Sequence, residues 1–169
     1  MLFRSHFEKT GEIKWVSDLA KMREEHGLDN IYGELGTTFA TSAVANPRFA
    51  AAIVGTLVNG LGADRVVWGT DSVWYGSPQW QIEAMRRLEI PDDMMEKMKW
   101  TTRLGDETSL VKTAIFGINS ANVYSYDLTA DVQQKLGADK IAEVKEVYRK
   151  EGGERNNAYY GYNGKQRTA

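Results

Sequence analysis

The chain has 169 residues, of which 42% are hydrophobic, and a formal net charge of −2. These values are typical of one folded domain, and the balanced charge gives no electrostatic reason to expect nucleic acid or an anionic membrane as a partner. The absence of cysteine excludes disulfides, thiolate zinc sites and cysteine nucleophiles. Because no apolar run could span a bilayer and no secretory pattern follows Met1, we expect a cytoplasmic protein.

Residues 13–26 are predicted to form the first helix, with Trp15, Leu19 and Met22 on its apolar face and Gly27 as its C-terminal cap. Residues 31–35 then predict a short strand, and the small residues from 36 to 46 predict a loop.

The clearest helix follows this loop. Asn46 is a suitable N-cap and Pro47 suits the first helical position. Phe49, Ile53 and Leu57 then recur every four residues, which predicts a helix that ends near residue 60. Residues 66–68 predict a second strand, so strands and helices alternate and favour a parallel sheet.

The second half of the chain is predicted to be mainly helical. A loop over 72–78 leads to a helix that carries Trp80 and Met85, and a short helix begins at Asp92 or Asp93. A loop covers 100–107. Further helices are predicted over residues 109–116, 119–124, 130–136 and 141–148, and an irregular arm over 152–169.

Asp71 comes directly after the second predicted strand, in Val66-Val67-Trp68-Gly69-Thr70-Asp71. Residues just past the carboxyl end of a parallel strand line the ligand site in α/β proteins. A carboxylate there can bind a metal or accept a proton from water. It can equally be a solvated turn residue or the cap of the next helix.

Residues 65–74 resemble the last barrel strand of the amidohydrolase-related family of metal-dependent hydrolases and decarboxylases. That strand has an apolar run followed by Gly-Thr-Asp. Residues 30–37 are similar to the family's seventh strand. Residues 112–124 are similar to its closing helix, although Ser120 between Asn119 and Ala121 departs from the usual Asn-Ala pair. The resemblance covers about residues 13–124.

The resemblance implies an α/β fold, namely the C-terminal part of a (β/α)8 TIM-type barrel. The seventh and eighth strand units would occupy residues 1–127, and a helical and irregular C-terminal extension would occupy 128–169. It also implies a metal-dependent hydrolase that cleaves a C–N or C–O bond at a carbonyl-type centre of a small-molecule substrate. In the complete protein Asp71 would bind a divalent metal, with zinc as the expected ion, and accept a proton from water.

The family's His-x-His after the first strand and its later ligand histidines have no counterpart, since the chain has only His6 and His26. We therefore expect the C-terminal portion of a longer protein, and because most of the metal ligands are absent we expect this chain alone to be inactive. A partial barrel exposes sheet edges, so we expect self-association or binding to a missing N-terminal portion. A non-oxidative decarboxylase of the same superfamily and an inactive fragment that acts only through association are the alternatives.

Four further residues are candidates for substrate binding. Glu34 lies at the end of the first strand and Thr37 at its mouth, whereas Trp74 and Tyr75 follow Asp71 and could stack on a ring. Each has a structural alternative: a paired glutamate, ordinary loop polarity, or packing beneath a loop.

Overall fold

The computed structural model describes residues 6–7, 9–130 and 140–152, and most of this part of the chain is helical. The helices are α1 (Lys14–His26), α2 (Gly36–Ser42), α3 (Pro47–Gly60), α4 (Ser72–Tyr75), α5 (Gln79–Arg87), α6 (Asp92–Met98), α7 (Leu110–Thr113), α8 (Asn119–Val123) and α9 (Lys140–Lys150). A 3₁₀ turn (Ala63–Arg65) precedes the second strand, and a π-helical stretch (Ala114–Ile118) joins α7 to α8. Among the described helices, none is both long and apolar enough to cross a membrane.

The sheet consists of β1 (Gly33–Glu34) and β2 (Val66–Val67), which pair in parallel with Gly33 opposite Val66 and Glu34 opposite Val67. The prediction of two short parallel strands is confirmed. The prediction of part of a TIM barrel is wrong, because the described chain is mostly helical and has only this pair of two-residue strands.

The loop predicted over residues 36–46 is also wrong, because α2 occupies most of it. Gly and Thr are poor helix formers, so sequence propensity argues against a helix here. Phe39 and Ala40 are nevertheless buried, and the Phe39 ring packs edge-on against Trp68 with 5.6 Å between ring centroids. Tertiary packing of Phe39 thus stabilises a helix that local preference disfavours.

Helix α3 is the centre of the core. Asn46 Oδ1 accepts a hydrogen bond from the backbone N–H of Phe49 at 3.1 Å, and Pro47 takes the first helical position, as predicted. The helix is buried on nearly all sides. Its buried residues are Ala50, Ala51, Ala52, Ile53, Val54, Gly55, Thr56, Leu57 and Val58. A helix that is apolar all round belongs in the interior, which is where α3 lies.

Helix α1 packs on α3 through small residues. Val16 and Ala20 are buried, and a Cβ on Gly60 would meet the Cβ of Ala20 at 2.5 Å, so the two backbones approach closely. Trp15 is 45% exposed, so the predicted apolar face of Trp15, Leu19 and Met22 is not the one that is most buried. Gly27 ends the helix at φ 64°, as predicted for a C-terminal cap.

Most predicted helices of the second half are confirmed. Helices α5, α6 and α9 match the predictions within a few residues, and the predicted loop over 100–107 has no regular structure. The predicted loop over 72–78 contains the short helix α4. The helix predicted over 130–136 lies, after its first residue, outside the described residues, as does the predicted arm after residue 152.

Candidate functional site

The parallel pairing brings the carboxyl ends of β1 and β2 to the same edge of the sheet. Glu34 is the last residue of β1, and the backbone N–H of Leu35 continues the pairing by donating to the carbonyl of Val67 at 3.2 Å. Trp68, Gly69 and Thr70 then lead from β2 to Asp71. The two carboxylates named from the sequence therefore lie beside one another although they come from different strands.

The distance between these carboxylates is bounded by a common reference point. Glu34 Oε2 and Asp71 Oδ2 lie 2.6 Å and 2.9 Å from the position that a Cβ on Gly36 would take, so they are at most 5.5 Å apart. Glu34 is exposed and Asp71 is half-buried. The pair is therefore open to solvent and accessible to a small molecule or an ion.

Two glycines leave the space that the carboxylates fill. A Cβ on Gly36 would crowd both carboxylates, and a Cβ on Gly69 would overlap Oε1 of Glu34. Any side chain at either position would displace at least one carboxylate. The glycines of Leu35-Gly36-Thr37 and Trp68-Gly69-Thr70 are thus part of the site, a role that the sequence analysis did not assign to them.

Two hydrogen bonds orient the carboxylates. The Thr37 hydroxyl donates to Oδ2 of Asp71, and the backbone N–H of Gly36 donates to Oε1 of Glu34 at 3.1 Å. Both donors belong to the first turn of α2, the helix that was predicted to be a loop. The unexpected helix is therefore what places Thr37 opposite Asp71.

Asp71 occupies the N-cap position of α4 without capping it through its side chain. Its carbonyl accepts hydrogen bonds from the N–H groups of Trp74 and Tyr75, but its carboxylate makes no capping bond and turns toward Thr37. Its backbone is left-handed, with φ 48° and ψ 33°. Aspartate tolerates this region better than most residues, and such conformations are concentrated at functional sites. The alternative of a helix-capping aspartate is thus not what the structure has.

Trp74 and Tyr75 lie on α4, within one turn of Asp71. Trp74 is 75% exposed and its neighbour Val73 is also exposed, whereas Tyr75 is half-buried. Trp74 is therefore not packed beneath a loop. The structure brings Glu34, Thr37 and Asp71 into one cluster, and it places the two aromatic residues on the adjoining short helix.

The histidines do not belong to the cluster. His26 is the last residue of α1, ahead of the amino end of β1, where a cation is favoured by the helix dipole. His6 is exposed. Among the described residues, no group of three or more His, Asp or Glu side chains could hold a metal ion. The atoms that converge here and could act as ligands of a cation are the oxygens of Glu34, Asp71 and Thr37.

Gln81 is a further residue of this region that the sequence analysis missed. It lies on α5, is fully buried, and donates from Nε2 to the carbonyl of Thr70 at 2.8 Å. Gln81 shares a helix face with Met85 and Leu88, which are also buried. A polar residue on an apolar face was the sequence signal that could have identified it.

No family model matches this chain, and no curated protein or solved structure is significantly similar to it.

Proposed function

We propose that this chain belongs to a divalent-cation-dependent hydrolase of the amidohydrolase type and supplies Glu34 and Asp71 as acidic residues of its site. One observation carries the proposal: the two carboxylates converge, within 5.5 Å, at the carboxyl edge of a parallel strand pair. Two further features support it. Asp71 turns away from its capping role, and residues 65–74 resemble the metal-site strand of that family.

The chemical type of the ligand atoms decides which cation suits these residues. Carboxylate and hydroxyl oxygens are the ligands that Mg²⁺ and Mn²⁺ prefer. The zinc that the resemblance implies is normally held by nitrogen ligands as well, and no histidine joins the cluster among the described residues. The residues described here therefore fit a hard divalent cation, and a zinc site would need histidines from elsewhere.

In this proposal Glu34 and Asp71 hold the ion. A divalent cation supplies Lewis acidity toward a carbonyl-type oxygen and lowers the pKa of water. The Thr37 hydroxyl donates to Oδ2 of Asp71, which keeps a further lone pair for the ion, so Oδ1 would be the atom that accepts a proton as a general base. The Gly36 N–H holds Oε1 of Glu34 in place. Trp74 and Tyr75 flank a small-molecule substrate, and the exposed indole of Trp74 contacts its apolar part.

Mn²⁺ titration by calorimetry and electron paramagnetic resonance tests the cation site. We expect the wild-type chain to bind Mn²⁺ and Asp71→Asn and Glu34→Gln to weaken binding. Asn also tolerates the left-handed backbone, so Asp71→Asn changes the charge with little strain. The matched control is Asp18→Asn, because Asp18 is an exposed α1 residue that pairs with Lys14. A wild-type chain that does not bind Mn²⁺, or an Asp71→Asn variant that binds equally well, would contradict the proposal.

Turnover is tested separately on a panel of small esters and amides in the presence of Mn²⁺ or Zn²⁺. We expect Asp71→Asn to lower kcat with little change in KM, because a lost proton acceptor acts on the transition state. Release of CO₂ from carboxylated substrates, without hydrolysis of the panel, would instead assign the same residues to a decarboxylase. An Asp71→Asn variant that turns over as fast as the wild type would remove Asp71 from the mechanism.

A further inference from the structure

Gln81 joins α5 to the loop that carries Asp71. Its side chain is 0% exposed, and its Nε2 donates to the carbonyl of Thr70, eleven residues earlier, at 2.8 Å. Thr70 is half-buried, so loss of the donor to its carbonyl would carry part of the cost of an unpaired buried carbonyl. Within the described part of the chain, Oε1 of Gln81 has no hydrogen-bond partner. Within the described residues, the buried amide of Gln81 therefore makes one hydrogen bond, the one to the Thr70 carbonyl.

The bonded carbonyl belongs to the same peptide group as the N–H of Asp71. The orientation of that peptide plane is set by φ of Asp71, which is 48°. An ordinary φ would rotate the Thr70 carbonyl away from Gln81 and would also swing the carboxylate of Asp71 away from the Thr37 hydroxyl. The Gln81 bond is therefore made in the same backbone conformation in which Asp71 meets Thr37.

We propose that Gln81 is a positioning residue for Asp71: by holding the Thr70 carbonyl it keeps Asp71 left-handed and its carboxylate in the pair with Glu34. The effect of Gln81 on the backbone of Asp71 does not depend on what the protein does. Its effect on cation binding rests on the proposed function. Gln81 touches neither the carboxylates nor a substrate in this arrangement, so its effect is indirect.

A purely structural role has to be distinguished, since any buried hydrogen bond contributes to stability. Asn119 supplies a matched control at the other end of β2. Its Nδ2 donates to the carbonyls of Ala63 and Val66 at 2.8 Å and 2.7 Å, and the side chain is buried. Asn119→Leu therefore removes buried bonds to backbone near the start of β2 rather than next to Asp71.

The test compares Gln81→Met with Asn119→Leu. The three-bond HN–Hα coupling and the residual dipolar couplings of Asp71, measured by NMR, report its φ. We expect Gln81→Met to shift these values toward an ordinary backbone and Asn119→Leu to leave them unchanged. We also expect Gln81→Met to weaken Mn²⁺ binding by about 10–100-fold, which is the usual cost of losing a group that orients a metal ligand. Asn119→Leu should retain wild-type affinity.

A second variant covers the case in which Gln81→Met does not fold. Glu at position 81 keeps the size of the side chain, but its ionised form has no donor for the Thr70 carbonyl, whereas its protonated form has one. We expect the Asp71 couplings of Gln81→Glu to return to wild-type values as the pH falls. Unchanged Asp71 couplings in folded variants would overturn the inference. If the wild-type chain binds no Mn²⁺, the proposed function fails, and the couplings alone decide the positioning role.

Discussion

The carboxylate of Glu34 occupies the space that a side chain on Gly69 would need, since a Cβ there would overlap Oε1. One residue ends β1 and the other follows β2, so the parallel pairing is what brings them into contact. The backbone of Gly69 is not left-handed. Its lack of a side chain therefore serves the neighbouring carboxylate rather than an unusual turn.

This relationship predicts that Gly69→Ala displaces Glu34 without unfolding the protein. The group in the way is the far end of a flexible, exposed side chain, so the expected change in unfolding free energy is within about 1 kcal/mol. The Mn²⁺ affinity should nevertheless fall by about tenfold or more, as for the loss of a group that shapes a metal site. Urea denaturation and calorimetric titration measure the two quantities.

The double variant Gly69→Ala, Glu34→Ala is the control. If Glu34 is the group displaced, adding Glu34→Ala to Gly69→Ala should restore any lost stability but not the affinity. If the changes in Mn²⁺-binding free energy of the two single variants add up to that of the double variant, the two positions do not interact.

A second prediction concerns Thr37, whose hydroxyl donates to Oδ2 of Asp71. Thr37→Val keeps the shape of the side chain and removes the donor, so Asp71 loses the hydrogen bond that orients it. Hydrogen bonds to charged acceptors contribute at most about 3 kcal/mol of free energy. We expect weaker Mn²⁺ binding and lower kcat on any substrate that is turned over.

Thr41→Val is the control for this prediction. Thr41 lies one turn further along α2, and its hydroxyl donates to the carbonyl of Thr37 at 2.9 Å rather than to a carboxylate. Equal effects of the two substitutions on Mn²⁺ affinity would show that helix stability, not the Asp71 bond, explains the loss.

A third prediction concerns the pH dependence of stability at Lys112. This side chain of α7 is 1% exposed and donates from Nζ to the carbonyl of Arg86, in the last turn of α5, at 2.7 Å. Burial lowers the pKa of Lys112 below its ordinary value, an effect that the nearby charges of Glu89, Asp106 and Glu107 only partly oppose.

The sign follows from proton binding. Between its lowered pKa and the ordinary lysine value of about 10.4, the unfolded chain binds more protons at this residue than the folded chain does. The contribution of Lys112 to stability is therefore least favourable below the lowered pKa, and it rises with pH across this alkaline window. Compared with Lys112→Met, the unfolding free energy of the wild type should increase from neutral pH toward pH 10 in urea titrations. Parallel curves for the two proteins would contradict the prediction.

A fourth prediction concerns the start of α3, where Asn46 caps the N–H of Phe49. Asn46→Ala should cost about 1 kcal/mol of unfolding free energy, whereas Asn46→Asp should cost only a few tenths, because Asp caps equally well. Thermal and urea denaturation measure both. A loss as large in Asn46→Asp as in Asn46→Ala would mean that the cap is not the source of the stability.

Features that depend on neighbouring residues in the chain were predictable from the sequence. Asn46 and Pro47 begin α3, Gly27 ends α1, and the periodic apolar residues define α3 because caps and helical periodicity act over a few residues. The two strands and their parallel direction also followed from local patterns. The choice of Glu34, Thr37 and Asp71 as candidates came from their places at the strand ends.

Only the tertiary structure decided which helix faces α3 and that residues 36–42 are helical. Phe39 is buried against Trp68 and thereby stabilises α2 against its own low helix propensity. That helix carries Thr37 to Asp71, while Gln81 on α5 holds the preceding carbonyl. These contacts join residues that are far apart in the chain, so local preferences carry no information about them. The sequence determined where the carboxylates sit along the chain, and the packing of α2 and α5 around the strand pair determined that they meet.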